Sequence, residues 1–194
     1  MKKILQKEEK ILRKVAKEVV IGDIKTAKIK KILREMSEAL RSQGDGVAIA
    51  APQIGYPLRI FVVSGKVLGT KFSGRGVSQV GEPRSSAAPE GADSDPAQKD
   101  FVPKDLIFIN PKISKLSREK IWMPEGCLSV RPLYGKTWRS LKATVTAYDE
   151  NGKKFTRGAA GLLAQIFQHE TDHLNGVLFI DHAKDVKAEE PKPN

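Results

Sequence analysis

The chain reads as an α+β protein in which small antiparallel or mixed sheets pack around one central helix. Three observations predict this: an early segment with apolar residues at helical spacing, four short stretches of strand composition, and a late helical segment carrying two histidines on its apolar face. At 194 residues and 40% hydrophobic composition the chain fits one domain with its own core, expected over residues 1–182, with a polar tail at 183–194.

The first helix is expected over 25–42, KTAKIKKILREMSEALRS, where Ile29, Ile32, Leu33, Met36 and Leu40 fall on one face and charged residues on the other. The glycines of SQGDG at 42–46 stop it. Ile60–Val63 and Leu106–Ile109 are short apolar runs of strand length. Between them Ser64–Pro103 is dense in Gly, Ser, Pro and Asp without an apolar period, and is expected to be a mobile insertion at 64–103. Leu141–Tyr148 alternates Leu141, Ala143, Val145 and Ala147 with more polar neighbours, and DENG at 149–152 turns into a second strand around Lys154–Arg157. From Ala159 to His173 the period becomes helical again: Leu162, Ile166, His169 and His173 share a face, flanked by Leu163, Phe167 and Leu174, and Asn175–Gly176 ends the segment.

The formal charge is +11, from 34 basic and 23 acidic residues, so polyanions such as RNA are attracted to the surface, and transient association with the ribosome is an expectation. No RNA-recognition motif and no basic strip interleaved with aromatics is visible along the sequence, so a solvated lysine-rich surface is the plain reading. Neither DNA nor a membrane is expected as a partner. One cysteine, Cys127, excludes an internal disulfide and suits a reducing compartment. The segment MKKILQKEEKILRKVAKEVV interrupts its apolar positions with charge and includes Glu8, Glu9 and Glu18, unlike a signal peptide or a mitochondrial presequence; a cytoplasmic protein is expected.

QHETDHLNG at 168–176 carries the chemistry. Four residues of α-helix advance about 400°, so His169 and His173 lie within about 40° of each other and can share one divalent ion, with Glu170 about 100° round from His169. Glu170 is then beside the ion rather than bound to it, placed to take a proton from water and return it to a leaving group. A third ligand is needed. The metzincin pattern HExxHxxGxxH holds through Gly176, but its last position is Phe179, which cannot ligate. Glu189 and Glu190 lie in a polar, proline-flanked tail. His182 reads as an exposed histidine. Cys127 in WMPEGCLSV is the remaining soft donor, although a lone cysteine is ordinarily a small buried hydrophobe.

Three separated blocks decide the matter by resemblance: GVAIAAPQIG at 46–55, EGCLS at 125–129 and QHETDHLNGVLF at 168–179. In this order they resemble the peptide deformylases, with weaker likeness from ILRKVAKEV at 11–19 to VLFID at 177–181. The resemblance implies a metal held by Cys127, His169 and His173, ferrous iron in the cell with zinc, nickel or cobalt able to replace it, and Glu170 as general acid and base. It implies that Gln53 and the backbone N–H of Leu128 face the developing oxyanion. Gly46, Val47, Ala48, Glu125, Gly126 and Leu162 are expected around the substrate, an N-formylmethionyl nascent peptide bound as an added strand. Ala48 stands where the first block of the family usually has glycine, and VRPLYGKTWR at 130–139 departs from the usual segment after EGCLS. The implied reaction releases formate and a free amino terminus. Two other readings stay open: an HExxH metalloprotease or amidase with a different acyl substrate, and a basic ribosome-associated protein whose site is vestigial.

Overall fold

Two antiparallel sheets of unequal size share the helix that carries the histidines, in a computed structural model that describes residues 2–69 and 103–188. Helix α1 (Ala27–Arg41) starts where Thr26 Oγ1 accepts from the Ile29 amide at 3.4 Å, and it buries the expected stripe. Strands β1 (Ala48–Ala50) and β2 (Ile60–Val63), the short helix α2 (Lys66–Gly69), and strands β3 (Leu106–Leu116), β4 (Lys120–Gly126), β5 (Leu133–Ser140), β6 (Lys142–Tyr148) and β7 (Lys154–Ala160) follow. Helix α3 (Gly161–Leu174) and strand β8 (Lys184–Ala188) complete the order. The larger sheet runs β1-β2-β3-β6-β7 and the smaller β4-β5-β8.

The larger sheet is covered on both faces, which is why β2 is a continuous apolar run. Ile49, Ile60, Val62 and Ile109 face α1. Ala48, Ala50, Phe61, Val63, Phe108 and Val145 face α3, where Phe61 and Phe108 stack at 4.5 Å and Phe167 meets Phe108 edge-on at 5.1 Å. Each such ring contributes about 1.5–3 kcal/mol by leaving water.

Several expectations are corrected. β3 continues past Ile109 to Leu116, because Asn110 at φ 51° shifts the register and the strand runs on as a mostly polar ribbon. The late helix starts at Gly161, not Ala159: Ala159 and Ala160 pair with Ala143 and Lys142 as the end of β7, and Gly161 at φ 59° makes the turn from strand to helix. β1, β4, β5 and β8 were not expected, and β8 makes the start of the polar tail an exposed edge strand on β5. Of the expected insertion at 64–103, Lys66–Gly69 forms α2, and 70–102 lies outside the described residues, as do Glu189 and Glu190. Among the described residues no helix is long and apolar enough to cross a membrane.

Candidate metal centre and catalytic site

Helix α3 aims both histidines the same way, their ring centroids 4.9 Å apart, and the end of β4 delivers Cys127 to them. Cys127 Sγ is 3.2 Å from His173 Nε2, and one donor atom from each of Cys127, His169 and His173 lies within 4.8 Å of the others. The geometry therefore gathers the three residues the sequence nominated. His182 stays outside the group, 4.0 Å from Asp172 on a half-exposed surface.

A buried polar network sets the direction of His169. Its Nδ1 is 2.7 Å from Glu125 Oε1, which leaves Nε2 for the site. Glu125 also accepts from Arg139 Nε and Nη2 at 3.0 and 2.7 Å, from Thr137 Oγ1 at 2.7 Å and from Gln165 Nε2 at 3.1 Å. Arg139 reaches on to Asp172 Oδ2 at 2.6 Å, one residue before His173. Gln168, the first residue of the third block, clamps α3 to the end of β5 by bonding both the amide and the carbonyl of Ser140, at 3.0 and 2.9 Å. Arg139, Thr137, Gln165 and Asp172 had no role in the sequence reading. The available signal for Arg139 was a charged residue in a segment that alternates once it is read as a strand.

The charges of the cluster are unevenly held. Burial pushes the Glu125 carboxyl up, yet the bonds from His169 and Arg139 outweigh it and hold the group well below the usual carboxylate range. Burial lowers His169, but Cys127 and Glu125 on its two sides raise it well above its ordinary value, whereas burial and the neighbouring His169 charge push His173 well below. Glu125 stands behind His169, while His173 Nδ1 has no partner among the described residues; a thiolate with two imidazoles suits zinc or ferrous iron. The residues present fit such an ion.

Glu170 is the other unusual group. It is 3% exposed, its Oε2 has no hydrogen-bond partner among the described residues, and it lines the cavity beside the histidines. Burial raises its carboxyl to about 7; the His169 charge opposes this and the Glu125 and Asp172 charges add to it. With the folded value above the ordinary 4.5, the metal-free fold holds a proton that the unfolded chain has lost, so stability declines as pH rises from 4.5 to about 7. Metal-free Glu170→Gln should match its parent below that window in urea titrations, and above it exceed the parent by about 3 kcal/mol.

The residues expected around the substrate, Gly46, Val47, Ala48, Glu125, Gly126 and Leu162, line one cavity of about 220 Å³ with Gln53, Cys127, Leu128, His169 and Glu170. Gln53 is fixed there: its Oε1 accepts from the Ala50 amide at 2.8 Å, and its Nε2 donates to Ser129 Oγ at 3.0 Å and to Cys127 Sγ at 3.6 Å. The N-terminal segment braces the same loop, with Gln6 Nε2 donating to the Leu128 carbonyl at 3.2 Å. One expectation changes. The side chain of Glu125 lines the cavity but is committed to His169, Arg139, Thr137 and Gln165, so its part there is to orient His169. Gly126 is bare because the Tyr134 ring covers it: a Cβ there would stand 2.4 Å from Tyr134 Cε1. Across the mouth, Arg131 of the β4–β5 connection pairs with Asp45.

Two helix-borne histidines, a cysteine from a strand end and a buried acid facing a groove define a metal-dependent hydrolase. The family model described as polypeptide deformylase matches residues 1–189, and the chain belongs to that family. It is 35% identical over 182 residues to peptide deformylase 2 of Clostridium acetobutylicum, covering 93% of this chain and 94% of that protein. A peptide deformylase structure from Legionella pneumophila superposes with a TM-score of 0.71 at 30% identity, over 95% of this chain and 87% of that one. One from Synechococcus elongatus, in complex with actinonin, gives 0.69 at 29% identity, over 95% and 79%. The chain is thus a hydrolase that removes the N-formyl group from nascent peptides, and the protease and vestigial-site readings are not favoured.

Proposed function

We propose that Cys127, His169 and His173 hold one divalent ion, ferrous iron in the cell, and that Glu170 moves the proton of the reaction. The observation that carries this is the buried Glu170 carboxyl beside the cysteine–histidine group, its Oε2 without a partner among the described residues. When bound, the ion supplies Lewis acidity toward the formyl carbonyl and toward water. Glu170, poised near neutrality, takes a proton from the attacking water and delivers it to the departing amine. The Gln53 amide, giving up its long bond to Cys127 Sγ, and the Leu128 backbone N–H donate to the oxygen on which negative charge develops. Formate and a free amino terminus leave.

The groove suits an extended peptide. β1 is an edge of the larger sheet and β4 an edge of the smaller, and residues of both line the cavity, so a peptide adds a strand between them through main-chain bonds. The catalytic unit proposed is residues 1–182. A cytoplasmic protein resident transiently beside the ribosome, where formylated chains emerge, accords with the charge of +11.

Formate release from a formyl-methionyl tripeptide, by protein prepared without oxygen, tests the assignment. Cys127→Ala is expected to lose both bound metal and turnover while remaining folded; metal retained at one ion per chain would refute the ligand set. Ala48→Gly probes the groove. The Ala48 methyl is buried against the α3 side of the sheet and also lines the cavity, so its removal should raise turnover and destabilise the strand by about 1 kcal/mol. An unchanged or lower kcat/KM would show that the methyl does not narrow the site.

A further inference from the structure

The outward face of the smaller sheet meets the deformylation cavity only at the Pro124, Gly126 and Tyr134 end, and its Trp122, Trp138 and Lys120 end lies outside that cavity. Register places Gly126 opposite Tyr134, Pro124 opposite Lys136, Trp122 opposite Trp138 and Lys120 opposite Ser140, and directly paired residues project to one face. On β8, Lys184 pairs with Lys136 and Lys187 with Tyr134. The opposite face holds Glu125, Thr137 and Arg139, all spent in the buried network. Folding therefore assembles, from segments far apart in sequence, the aromatic and basic strip that is not visible along the chain.

Its centre is two indoles in open solvent. The Trp122 and Trp138 rings are 5.3 Å apart and tilted by 48°, with the residues 40% and 49% exposed, and Lys184 Nζ stands 4.8 Å over the Trp122 ring. Lys136 is paired with Asp185 at 3.0 Å, but Lys120, Lys184 and Lys187 have no ion pair among the described residues. At about 3.3 Å per residue, the indoles lie about 13 Å along the strands from Tyr134, which lines the active-site cavity.

We propose that this face binds an unpaired RNA strand, with bases stacked on Trp122 and Trp138 and phosphates held by Lys120, Lys184 and Lys187. Exposed indoles offer π-faces that any unstacked base can cover, and ammonium groups beside them without an ion pair among the described residues match a phosphate backbone. Duplex RNA has its bases stacked internally and cannot use the indoles. A second copy of this chain would set the same lysines against each other, and the net charge of +11 opposes that contact. The proposal goes beyond the deformylase reading and does not depend on it.

The chain contains only these two tryptophans, so its intrinsic tryptophan fluorescence reports on this surface alone. Titration of the wild-type protein with a 12-nucleotide oligocytidylate at low salt should give saturable quenching, with little from a hairpin duplex of equal charge. Log affinity should fall against log salt with a slope of about −2, from three phosphates at about 0.7 each. Trp122→Ala with Trp138→Ala, followed by anisotropy of labelled RNA, should weaken binding about 10- to 100-fold. Lys120→Glu with Lys187→Glu should keep the indoles yet weaken binding and flatten the salt slope. Formate release from a tripeptide should be unchanged in both variants, which reports their fold. Equal binding of duplex without quenching would reduce the surface to general electrostatics and overturn the proposal. So would quenching by anionic phospholipid vesicles but not by RNA, or a spectral shift that follows protein concentration alone, the mark of self-association.

Discussion

Glu170→Gln is expected to bind metal as its parent does and to lose formate release by about 10²- to 10⁴-fold, the usual contribution of a positioned proton-transfer group. The substitution keeps the shape of the side chain in a site where Glu170 is almost wholly enclosed. It leaves the side chains of Cys127, His169 and His173 in place, so metal content should stay at one per chain. What disappears is the only buried carboxyl oxygen in the cavity with no partner among the described residues. Metal analysis beside formate release at saturating peptide separates the outcomes. Retained turnover would remove Glu170 from the chemistry; lost metal would make it a structural residue. The pH profile adds a further reading: the parent should lose activity on acidification as the carboxyl near 7 takes a proton, with bound cation moving that limb to lower pH.

Arg139→Ala is expected to cost about 3–5 kcal/mol of stability, because it leaves a buried carboxylate without its cation. Glu125 loses two donors, at 3.0 and 2.7 Å, and Asp172 loses one at 2.6 Å. Glu125, which holds His169 in its tautomer, is then less firmly placed, so metal affinity should decline together with the urea midpoint. Arg139→Lys keeps the charge but not the planar fork, and should recover only part of the loss. A shift of less than about 1 kcal/mol in both variants would mean that water replaces the guanidinium and that the network is dispensable.

The helices and the inner strands were legible because their chemistry is apolar and periodic. Ile29 to Leu40 and Ile60 to Val63 have one purpose, burial, and their spacing states it. β4 and β5 were not legible, and the reason is physical. Trp122, Pro124, Lys136 and Trp138 point to solvent while Glu125, Thr137 and Arg139 point inward, so polarity does not alternate in the sense that marks a half-buried strand. The candidate site is legible in two steps: His169 and His173, with Glu170 beside them, from helical angle alone, and Cys127 from elimination and resemblance. Gln53 and Leu128 came from resemblance only, since nothing in a loop glutamine or a backbone amide announces proximity to an ion far away in sequence. The supporting network escaped for the same reason. Arg139 and Asp172 meet across 33 positions, a relation that exists only after β5 docks on α3.

Helix α3 is fastened to the two sheets by opposite kinds of attachment. Toward the larger sheet it offers Ala164, Ile166 and Phe167 to an oily, ring-filled interior. Toward the smaller it offers Gln165, Gln168, His169 and Asp172, each bonded to a polar group of β4 or β5. The cavity between β1 and β4 thus has one jaw whose grip follows temperature and one whose grip follows acidity. Cooling slackens the first, as apolar adhesion fades; the second gives way only in strong acid, when Glu125 at last accepts a proton and releases its arginine.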